Sequence, residues 1–563
     1  MNPQNQNVNL KAPLGSLLLL LVLLVWSPVS ISNQSAIASA HPLATDAGMQ
    51  ILDQSGNAFD AAIAVAAVLA VVEPYGSSLG GGGFWLLHRA SDNKQVMLDG
   101  RETAPLAASP DMYLDDSGKV IKNLSINGPL SAGIPGIPAA LVHLAKHYGK
   151  LPLEQSLAPA IQFAHDGFNV DEYYLKMAGW RLSALQASIA ASDIFLQNDQ
   201  LPEIGYLIKQ PDLATVLELL AEEGREGFYQ GKIAKRLVDG VRAAGGIWSL
   251  EDLKQYQVKE RQPVKVAYRD KTIISAALPS SGGIVMAQAL NILSEFDLSA
   301  MSPVEKKHLI VESMRRAYKD RAIYMGDQDF VEVPVAKLIS ADYAKQKSKN
   351  IQMNKASVSE AMIAKEDGAD TTHYSILDIE GNRVSATLSI NYPFGSAFVP
   401  EGTGVLLNDE MDDFSASPGV PNVYGLVGSE ANAIAPGKRM LSSMSPTFVE
   451  SQAGVAILGT PGGSRIITMV LLAILEMDKN NDPQHWVDLP RYHHQYLPDV
   501  IQYESNAFDQ LAIDKLKSMG HKLKLLDDSY GNMHAVFWNR ETGEVTAASD
   551  KRGIGKASVK MID

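Results

Sequence analysis

Two adjacent threonines, Thr371 and Thr372, lie in the stretch GADTTHYSILD (368–378), between a long polar run and an alternating pattern that predicts a β-strand. A threonine hydroxyl needs a neighbouring base to act as a nucleophile, and a threonine exposed as a new N-terminus carries that base as its own α-amine. The pKa of an α-amine is about 7.7 to 8.0, so a useful fraction is neutral near pH 7. A cut between Asp370 and Thr371 would create such a catalyst. Taken alone, however, a Thr-Thr pair before a strand ordinarily reflects β-propensity.

Three further groups could bind a substrate or stabilise a charge. The acidic run DEMDD (409–413) could hold a cation or form a solvated loop. Arg101, in DGRETAP, could grip a carboxylate with its forked guanidinium, or it could pair with Glu102 or another acid. Gly462 and Gly463, in TPGGSR, precede an apolar helical pattern, where glycines could aim backbone N–H groups outward or form a plain turn.

Histidines cluster late in the chain, at His485 and in RYHHQY (491–496). No carboxylate or third histidine stands beside them at a recognised ligand spacing, so we interpret them as structural and predict no metal. Cysteine is absent, which excludes thiol catalysis, disulfides and thiolate metal sites.

Composition narrows the class of protein. The chain has 563 residues, 46% of them hydrophobic, which is enough for a sizeable core. Its formal net charge of −14 leaves no large basic face for nucleic acid or acidic lipid. Small molecules or peptides are therefore the expected partners.

An apolar run near the start, LGSLLLLLVLLVWSPVSIS (14–32), follows Lys11 and has the length of an export signal. It is shorter than the ~20 apolar residues of a spanning helix, so a cleaved signal is favoured over a membrane anchor. Two small-x-small patterns follow the apolar run. Ser30-Ile31-Ser32 fits cleavage after Ser32, and Ala38-Ser39-Ala40 fits cleavage after Ala40.

The elements that would position these residues follow from periodicity. Residues 44–72 predict two helices broken at 55–57, and residues 137–330 are mostly helical. The polar composition of residues 340–370 suggests an exposed, mobile segment. A hairpin with its turn at 380–382 follows Thr371, and residues 454–475 predict a strand, a glycine turn and a helix.

Motifs spread along the chain carry a resemblance to a known family. DTTHYSILDIEGN, SINYPFGSAFVPEGTGVLLNDEMDDFS, PNVYGLVG, RMLSSMSPT and GTPGGSRI, in this order and spacing, closely resemble the γ-glutamyltransferases, also called glutathione hydrolases. AIASAHPLAT, SGNAFDAAIAVAAVLAVVEP, LGGGGFWLL and DGRETAP extend the match over nearly everything after the signal. AIASAHPLAT resembles the first segment of the mature enzyme, which favours the cut after Ser32.

The resemblance implies a fold and a processing event. The family belongs to the N-terminal nucleophile hydrolases, whose α+β fold is a four-layer αββα sandwich. Residues 1–32 would be the signal, and a large subunit (33–370) and a small subunit (371–563) would form one catalytic domain. The Thr371 hydroxyl would attack the Asp370 carbonyl, and water would open the resulting ester.

The resemblance also implies roles for individual residues. Thr372 and Ser389 match positions that support the nucleophile, and Ser389 stands where the family often has threonine. The residues matching the substrate-binding positions are Arg101, Asn391, Glu410, Asp413, Ser442 and Ser443. Gly462 and Gly463 match the oxyanion-hole donors, and Tyr424 matches the tyrosine of a lid over the bound γ-glutamyl group.

The expected function is transfer of the γ-glutamyl group of glutathione or related compounds to water, amino acids or peptides, without a cofactor, by an exported enzyme. A glutaryl acylase of the cephalosporin type is one alternative. Its substrates lack the α-amino group, so the acids Glu410 and Asp413 argue against it. A homologue that fails to process and only binds γ-glutamyl compounds is the other.

Overall fold

The structure is a computed structural model that describes residues 33–359, 371–417 and 419–561. The predicted signal and Asp370 lie outside the described residues. The strands are β1 (Gln34–Ser39), β2 (Gly82–Arg89), β3 (Lys94–Gly100), β4 (Phe168–Asn169), β5 (Leu207–Ile208), β6 (Lys259–Arg261), β7 (Val264–Tyr268), β8 (Lys271–Ser275), β9 (Thr372–Leu377), β10 (Arg383–Ser389), β11 (Thr447–Glu450), β12 (Gly454–Gly459), β13 (Tyr492–His493), β14 (Ile501–Tyr503), β15 (Leu523–Leu525), β16 (His534–Asn539), β17 (Val545–Ser549) and β18 (Lys556–Met561).

The helices alternate with these strands, and most of them precede Thr371. They are α1 (Pro42–Asp53), α2 (Ala58–Val72), α3 (Ile137–His147), α4 (Leu153–Asp166), α5 (Glu172–Gln186), α6 (Ile189–Phe195), α7 (Pro211–Glu223), α8 (Arg225–Tyr229), α9 (Gly231–Ala243), α10 (Leu250–Gln255), α11 (Gly282–Ser294), α12 (Pro303–Tyr324), α13 (Val335–Leu338), α14 (Ala341–Ser348), α15 (Ile466–Glu476), α16 (Pro483–Val487) and α17 (Gln510–Ser518). Within the described ranges, no helix is both long enough and apolar enough to cross a membrane.

Two antiparallel sheets dominate the architecture. The first has the strand order β18-β1-β9-β10-β2-β3-β6, and the second β17-β16-β12-β11-β8-β7. Each sheet combines strands that precede Thr371 with strands that follow it. The segments on either side of the predicted cut therefore interleave in the first sheet and pair side by side in the second, through β11 and β8.

Alternation along the strands separates three hydrophobic layers. Leu86, Leu377 and Ile457 face the core between the two sheets. Their neighbours Trp85 and Ile376 face the other way, into a core that contains α1 and α2. Leu458 likewise joins a core with α11, α12 and α15. Helices thus cover the outer faces of two stacked sheets, and the predicted αββα sandwich is confirmed.

The predicted helix pair at 44–72 is present as α1 and α2. Asn57 caps α2 by accepting from the backbone N–H of Asp60 at 3.0 Å, while the Asp60 carboxylate accepts from the Asn57 N–H at 2.9 Å. Asp378, at the end of β9, accepts from the Ala58 N–H at 2.8 Å and from the Asn382 N–H at 2.9 Å. The predicted hairpin turn is thereby tied to the start of α2.

Close backbone approach explains two glycines that lead into β2. A Cβ on Gly80 would lie 2.0 Å from the Leu406 carbonyl oxygen, and a Cβ on Gly81 would lie 2.3 Å from the Ser389 carbonyl oxygen. A side chain at Gly80 would therefore push this segment away from Leu406, and one at Gly81 would push it away from the end of β10.

The first part of the polar segment 340–370 contains a helix and hydrogen bonds to distant acids, and its prediction as a mobile segment stays a prediction. Ser340 caps α14 by accepting from the Tyr343 N–H at 3.2 Å. Farther on, the Ser357 N–H donates to Glu312 at 3.1 Å, and the Ser359 N–H donates to Asp499 at 2.8 Å. These hydrogen bonds offset the low hydrophobicity on which the prediction of a mobile segment rested. Residues 360–370 lie outside the described residues.

Candidate active site

One small cavity gathers most of the predicted site residues. Its lining comprises Arg101, Thr371, Ser389, Asn391, Glu410, Asp413, Tyr424, Leu426, Ser442, Ser443, Met444, Gly463, Ser464 and Ile466. Of the predicted residues within the described ranges, Thr372 and Gly462 are not part of this lining. Residues separated by up to 365 positions in sequence are thus brought around a single nucleophile candidate.

Strand pairing places Ser389 next to Thr371. Thr372 pairs with Leu388 in the antiparallel β9–β10 ladder, so Thr371 and Ser389 lie at its end. Successive side chains of a strand point to opposite faces, which turns Thr372 away from the cavity. Its hydroxyl donates to Glu73 Oε2 at 2.6 Å, just beyond the end of α2.

Arg101 is fixed from both its backbone and its side chain. Its N–H donates to Asp99 Oδ1 at 3.0 Å, and its carbonyl accepts from the Tyr256 hydroxyl at 2.9 Å. Its Nε donates to the Met440 carbonyl at 3.3 Å, which leaves the two terminal nitrogens for acids. Arg439 and Arg261 also contact Asp99, at 2.9 and 2.7 Å, so the buried Asp99 anchors three arginines.

The acids that pair with Arg101 are mainly those predicted to bind substrate. Its guanidinium forms ion pairs with Glu410 and, at 2.5 Å, with Asp413. Glu102, one of the acids considered as a partner in the simpler interpretation of the sequence, lies 3.7 Å away. Arg101, Glu410 and Asp413 therefore form one charge cluster on the cavity wall.

Burial changes the ionisation of this cluster. It raises the pKa of Glu410 to about 7, although the Arg101 guanidinium beside it acts in the opposite direction. Burial also raises the pKa of Asp413, against the effect of Arg101 and Arg321. For Glu102, burial and the Glu410 carboxylate raise the pKa well above its ordinary value.

Tyr424 lines the cavity and belongs to the segment 421–428. Its hydroxyl donates to the Asn391 carbonyl at 2.5 Å, and a Cβ on Gly463 would lie 2.7 Å from its ring. Asn422 ties this segment to the charge cluster by donating to Asp413 Oδ1 at 3.0 Å. The position of Tyr424 thus depends on both a glycine and an acid of the site.

The two serines of RMLSSM rest on the loop before α11. The Ser442 N–H donates to the Pro279 carbonyl at 2.8 Å, and its carbonyl accepts from the Ser281 N–H at 2.9 Å. The Ser280 hydroxyl donates to the Met444 carbonyl at 2.6 Å. This loop, LPSSGG (278–283), lies within the range 137–330, for which the sequence predicted mostly helices and no site residue.

The glycine turn joins β12 to α15, as predicted. Gly462 has φ 140° and Gly463 has φ 54°, conformations that favour glycine. Gly463 begins a short 3₁₀ turn and lines the cavity. Gly462 faces Met469, whose Cε would lie 2.5 Å from an added Cβ.

Comparisons with known proteins agree with this arrangement. The family model for gamma-glutamyltranspeptidase matches residues 44–560. This chain belongs to the gamma-glutamyltranspeptidase family. It is 42% identical to the glutathione hydrolase proenzyme of Pseudomonas sp. (strain A14) over 504 residues, covering 88% of this chain and 87% of the relative.

Solved structures extend the comparison to the fold. A cephalosporin acylase from Bacillus halodurans matches with a TM-score of 0.82 and 26% identity, covering 99% of this chain and 98% of that one. The Helicobacter pylori gamma-glutamyltranspeptidase matches with a TM-score of 0.54 and 40% identity, covering 56% of this chain and 90% of that one. The predicted N-terminal nucleophile hydrolase fold is confirmed for this family member.

In this gamma-glutamyltranspeptidase, the histidines singled out in the sequence bond to different groups. His485 contacts Glu476 at 3.0 Å, His493 contacts Thr468 at 2.8 Å, and His494 contacts Asp499 at 3.1 Å. Their interpretation as structural residues stays a prediction.

Another group, missed in the sequence, comes close enough to share a metal ion: His308, Glu312 and His521. The two imidazoles instead bond to each other at 2.7 Å, and Glu312 accepts from Arg315 at 3.2 Å and from Arg316 at 2.6 Å. A cation here would have to displace both guanidinium groups, so we assign no metal to these residues.

Sequence reasoning also missed four residues that support the gamma-glutamyltranspeptidase site. They are Glu73, Ser281, Arg321 and Asn422. Glu73 and Asn422 lie inside motifs that carried the family resemblance, so a signal for them existed. Ser281 and Arg321 lie in helical surroundings whose composition gives no indication of the site.

Proposed function

We propose that this chain is an autoprocessing γ-glutamyltransferase and glutathione hydrolase. The observation that carries the proposal is the shared cavity of Thr371 with the charge cluster Arg101, Glu410 and Asp413. A γ-glutamyl group ends in an α-carboxylate and an α-ammonium, which need a cation and an anion at adjacent positions. The cluster offers both beside a candidate nucleophile.

When the donor substrate binds, its charged groups replace the ion pairs within this cluster. The substrate carboxylate takes up the terminal nitrogens of Arg101 that Glu410 and Asp413 contact in this structure, and the ammonium lies against those two acids. Ser442 and Ser443 supply hydroxyl donors to the same carboxylate. Because every buried charge finds an opposite charge, the exchange avoids leaving an unpaired ion.

The reaction then proceeds through an ester. The Thr371 hydroxyl attacks the γ-amide carbonyl while its own α-amine takes the hydroxyl proton. Backbone N–H groups of Gly462 and Gly463 stabilise the oxyanion, and the proton passes to the departing amine as the C–N bond breaks. Water or the amine of an amino acid or peptide next attacks the ester, giving glutamate or a new γ-glutamyl amide.

Processing uses the same nucleophile earlier. In the precursor, the Thr371 hydroxyl attacks the Asp370 carbonyl, and the Asp370–Thr371 amide becomes an ester. The C–N bond breaks as the ester forms, which frees the α-amine that later acts as the base, and water then opens the ester to release the Asp370 carboxylate and the Thr371 hydroxyl. The products are a large subunit ending at Asp370 and a small subunit beginning at Thr371. We place the start of the large subunit near residue 33, after an export signal, and the mature enzyme outside the cytoplasm.

A glutaryl acylase is the second candidate, favoured by the similarity to the cephalosporin acylase structure. A glutaryl side chain has no ammonium, so it would leave Glu410 and Asp413 without a positive partner once its carboxylate engaged Arg101. Such unpaired acids in a buried site weaken binding. The charge cluster therefore favours γ-glutamyl over glutaryl substrates.

Intact mass and N-terminal sequencing of the purified protein test the proposal, together with turnover of a γ-glutamyl anilide and of a glutaryl anilide. We expect two chains, one beginning Thr-Thr-His-Tyr, and a marked preference for the γ-glutamyl donor. A Thr371→Ala variant should remain one inactive chain. Faster glutaryl turnover would favour the acylase, and an uncut wild-type chain that binds glutathione without turnover would favour the binding homologue.

A further inference from the structure

Arg321 is a buried cation beside the cavity whose contacts are hydroxyls. It lies near the end of α12 and is only 5% exposed. Its Nε donates to Ser281 Oγ at 2.9 Å, and its Nη2 donates to Ser443 Oγ at 3.3 Å. No carboxylate among the described residues forms an ion pair with it.

Other arginines of the same helix are paired differently. Arg315 and Arg316 both contact the Glu312 carboxylate, at 3.2 and 2.6 Å. A buried guanidinium with only neutral partners is costly, because two hydroxyls do not replace the hydration that it loses. The Asp413 carboxylate, which also acts on Arg321, is already engaged by Arg101. Arg321 thus contributes positive charge beside the cavity with no carboxylate of the described residues in direct contact with it.

The hydrogen bonds of Arg321 also orient two hydroxyl protons. Each serine oxygen accepts from the guanidinium, so its own proton must point elsewhere. The Ser281 hydroxyl donates to the Ser442 carbonyl at 2.7 Å. The Ser443 hydroxyl has no acceptor among the described residues, and Ser443 lines the cavity. Its proton is therefore available to a ligand there.

We propose that Arg321 is a positioning residue for the α-carboxylate of the donor substrate, acting through the Ser443 hydroxyl. The guanidinium holds Ser443 as a donor and adds a second positive charge to the side of the cavity where Arg101 lies. Ser281 links the same guanidinium to the backbone carbonyl of Ser442. The Arg321 side chain therefore positions both Ser442 and Ser443. This inference rests on the proposed function and adds a determinant of donor specificity.

Two donor substrates distinguish this positioning role from a general structural role. A γ-glutamyl anilide carries the α-carboxylate, whereas a 4-aminobutyryl anilide is the same molecule without it. Arg321→Met should raise KM for the γ-glutamyl donor about 10- to 100-fold, the range of one lost charge-assisted contact. It should change KM for the 4-aminobutyryl donor by no more than about threefold, and kcat should change less than KM.

Three further variants sharpen the test. Arg321→Lys keeps the charge without the fork and should recover part of the loss. Ser443→Ala combined with Arg321→Met should be little worse than Arg321→Met alone, because the arginine acts through that hydroxyl. Lys319→Met, which removes an exposed cation from the same helix, is the matched control and should leave both KM values unchanged.

Chain cleavage and thermal melting of each variant report whether it folds, and inhibition by L-glutamate against 4-aminobutyrate gives a second measure of carboxylate recognition. Equal losses with both donors and both inhibitors, or strictly additive losses in the double variant, would overturn the role of Arg321 and leave the proposed function unaffected. A processed wild-type enzyme that does not turn over the γ-glutamyl donor would overturn the proposed function and this inference with it.

Discussion

The Thr372 hydroxyl and the Glu73 carboxylate meet at 2.6 Å, both fully shielded from solvent. The contact joins the C-terminal end of α2 to the residue next to the proposed nucleophile, Thr371. Thr372 itself faces away from the cavity, so its contribution is to hold the first residues of β9 in place. Because side chains alternate along a strand, Thr371 lines the cavity, whereas Thr372 packs on the opposite side and bonds to Glu73.

Replacing Thr372 by valine should slow the enzyme even though the residue does not line the cavity. Valine keeps the shape but leaves Glu73 without this donor, and a small displacement of Thr371 would be enough to lower kcat by about tenfold or more. Thr372→Ser keeps the hydroxyl and should stay close to wild type. Steady-state turnover of a γ-glutamyl anilide measures both, and equal kcat values for the two variants would contradict the anchoring role.

Asp413→Asn should impair substrates that carry an α-amine. Removing the charge loses the partner of the ammonium, and we expect KM for a γ-glutamyl anilide to rise about 10- to 100-fold. A glutaryl anilide, which lacks the amine, should lose far less. Asp412→Asn is the matched control, since that carboxylate accepts from Ser125 at 2.6 Å and from the Val423 N–H at 2.9 Å. Equal losses on both donors would remove Asp413 from amine recognition.

Periodicity and motif chemistry predicted much of this molecule. The α1–α2 break, the β9–β10 hairpin and the β12–α15 turn depend on local signals, namely capping residues, glycines and alternation, and all three are present. Most of the site residues predicted from the family motifs also line one cavity. These features were accessible because each rests on a few neighbouring residues.

Long-range partners were not accessible in the same way. Arg321 and Ser443 are 122 positions apart, and nothing in the composition of α12 distinguishes an arginine bound to hydroxyls from one bound to acids. The partners of the polar segment after Ser340 were not accessible for a related reason, because Glu312 and Asp499 accept from its backbone N–H groups from distant parts of the chain. Tertiary hydrogen bonds override composition at such positions.

Gly463→Ala should nearly abolish activity. The new Cβ would lie 2.7 Å from the Tyr424 ring, and φ at this position is 54°, where a side chain is strained. Displacing Tyr424 or the oxyanion donor should lower kcat by about 10²- to 10³-fold. Gly543→Ala is the matched control, since Gly543 has φ 75° with no atom near its missing Cβ. Comparable losses of activity in both variants would indicate backbone strain alone.

Donor preference should depend on pH through Glu410, whose pKa is raised by burial to about 7. Below that pH the carboxyl is protonated, and the negative charge that meets the substrate ammonium is lost. The ratio of kcat/KM for γ-glutamyl over glutaryl anilides should therefore fall by about tenfold from pH 8 to 5.5. Titration of the Thr371 α-amine affects both donors equally and cancels in the ratio. Glu410→Gln should flatten most of this dependence, so an unchanged pH profile in that variant would assign the titration to another group.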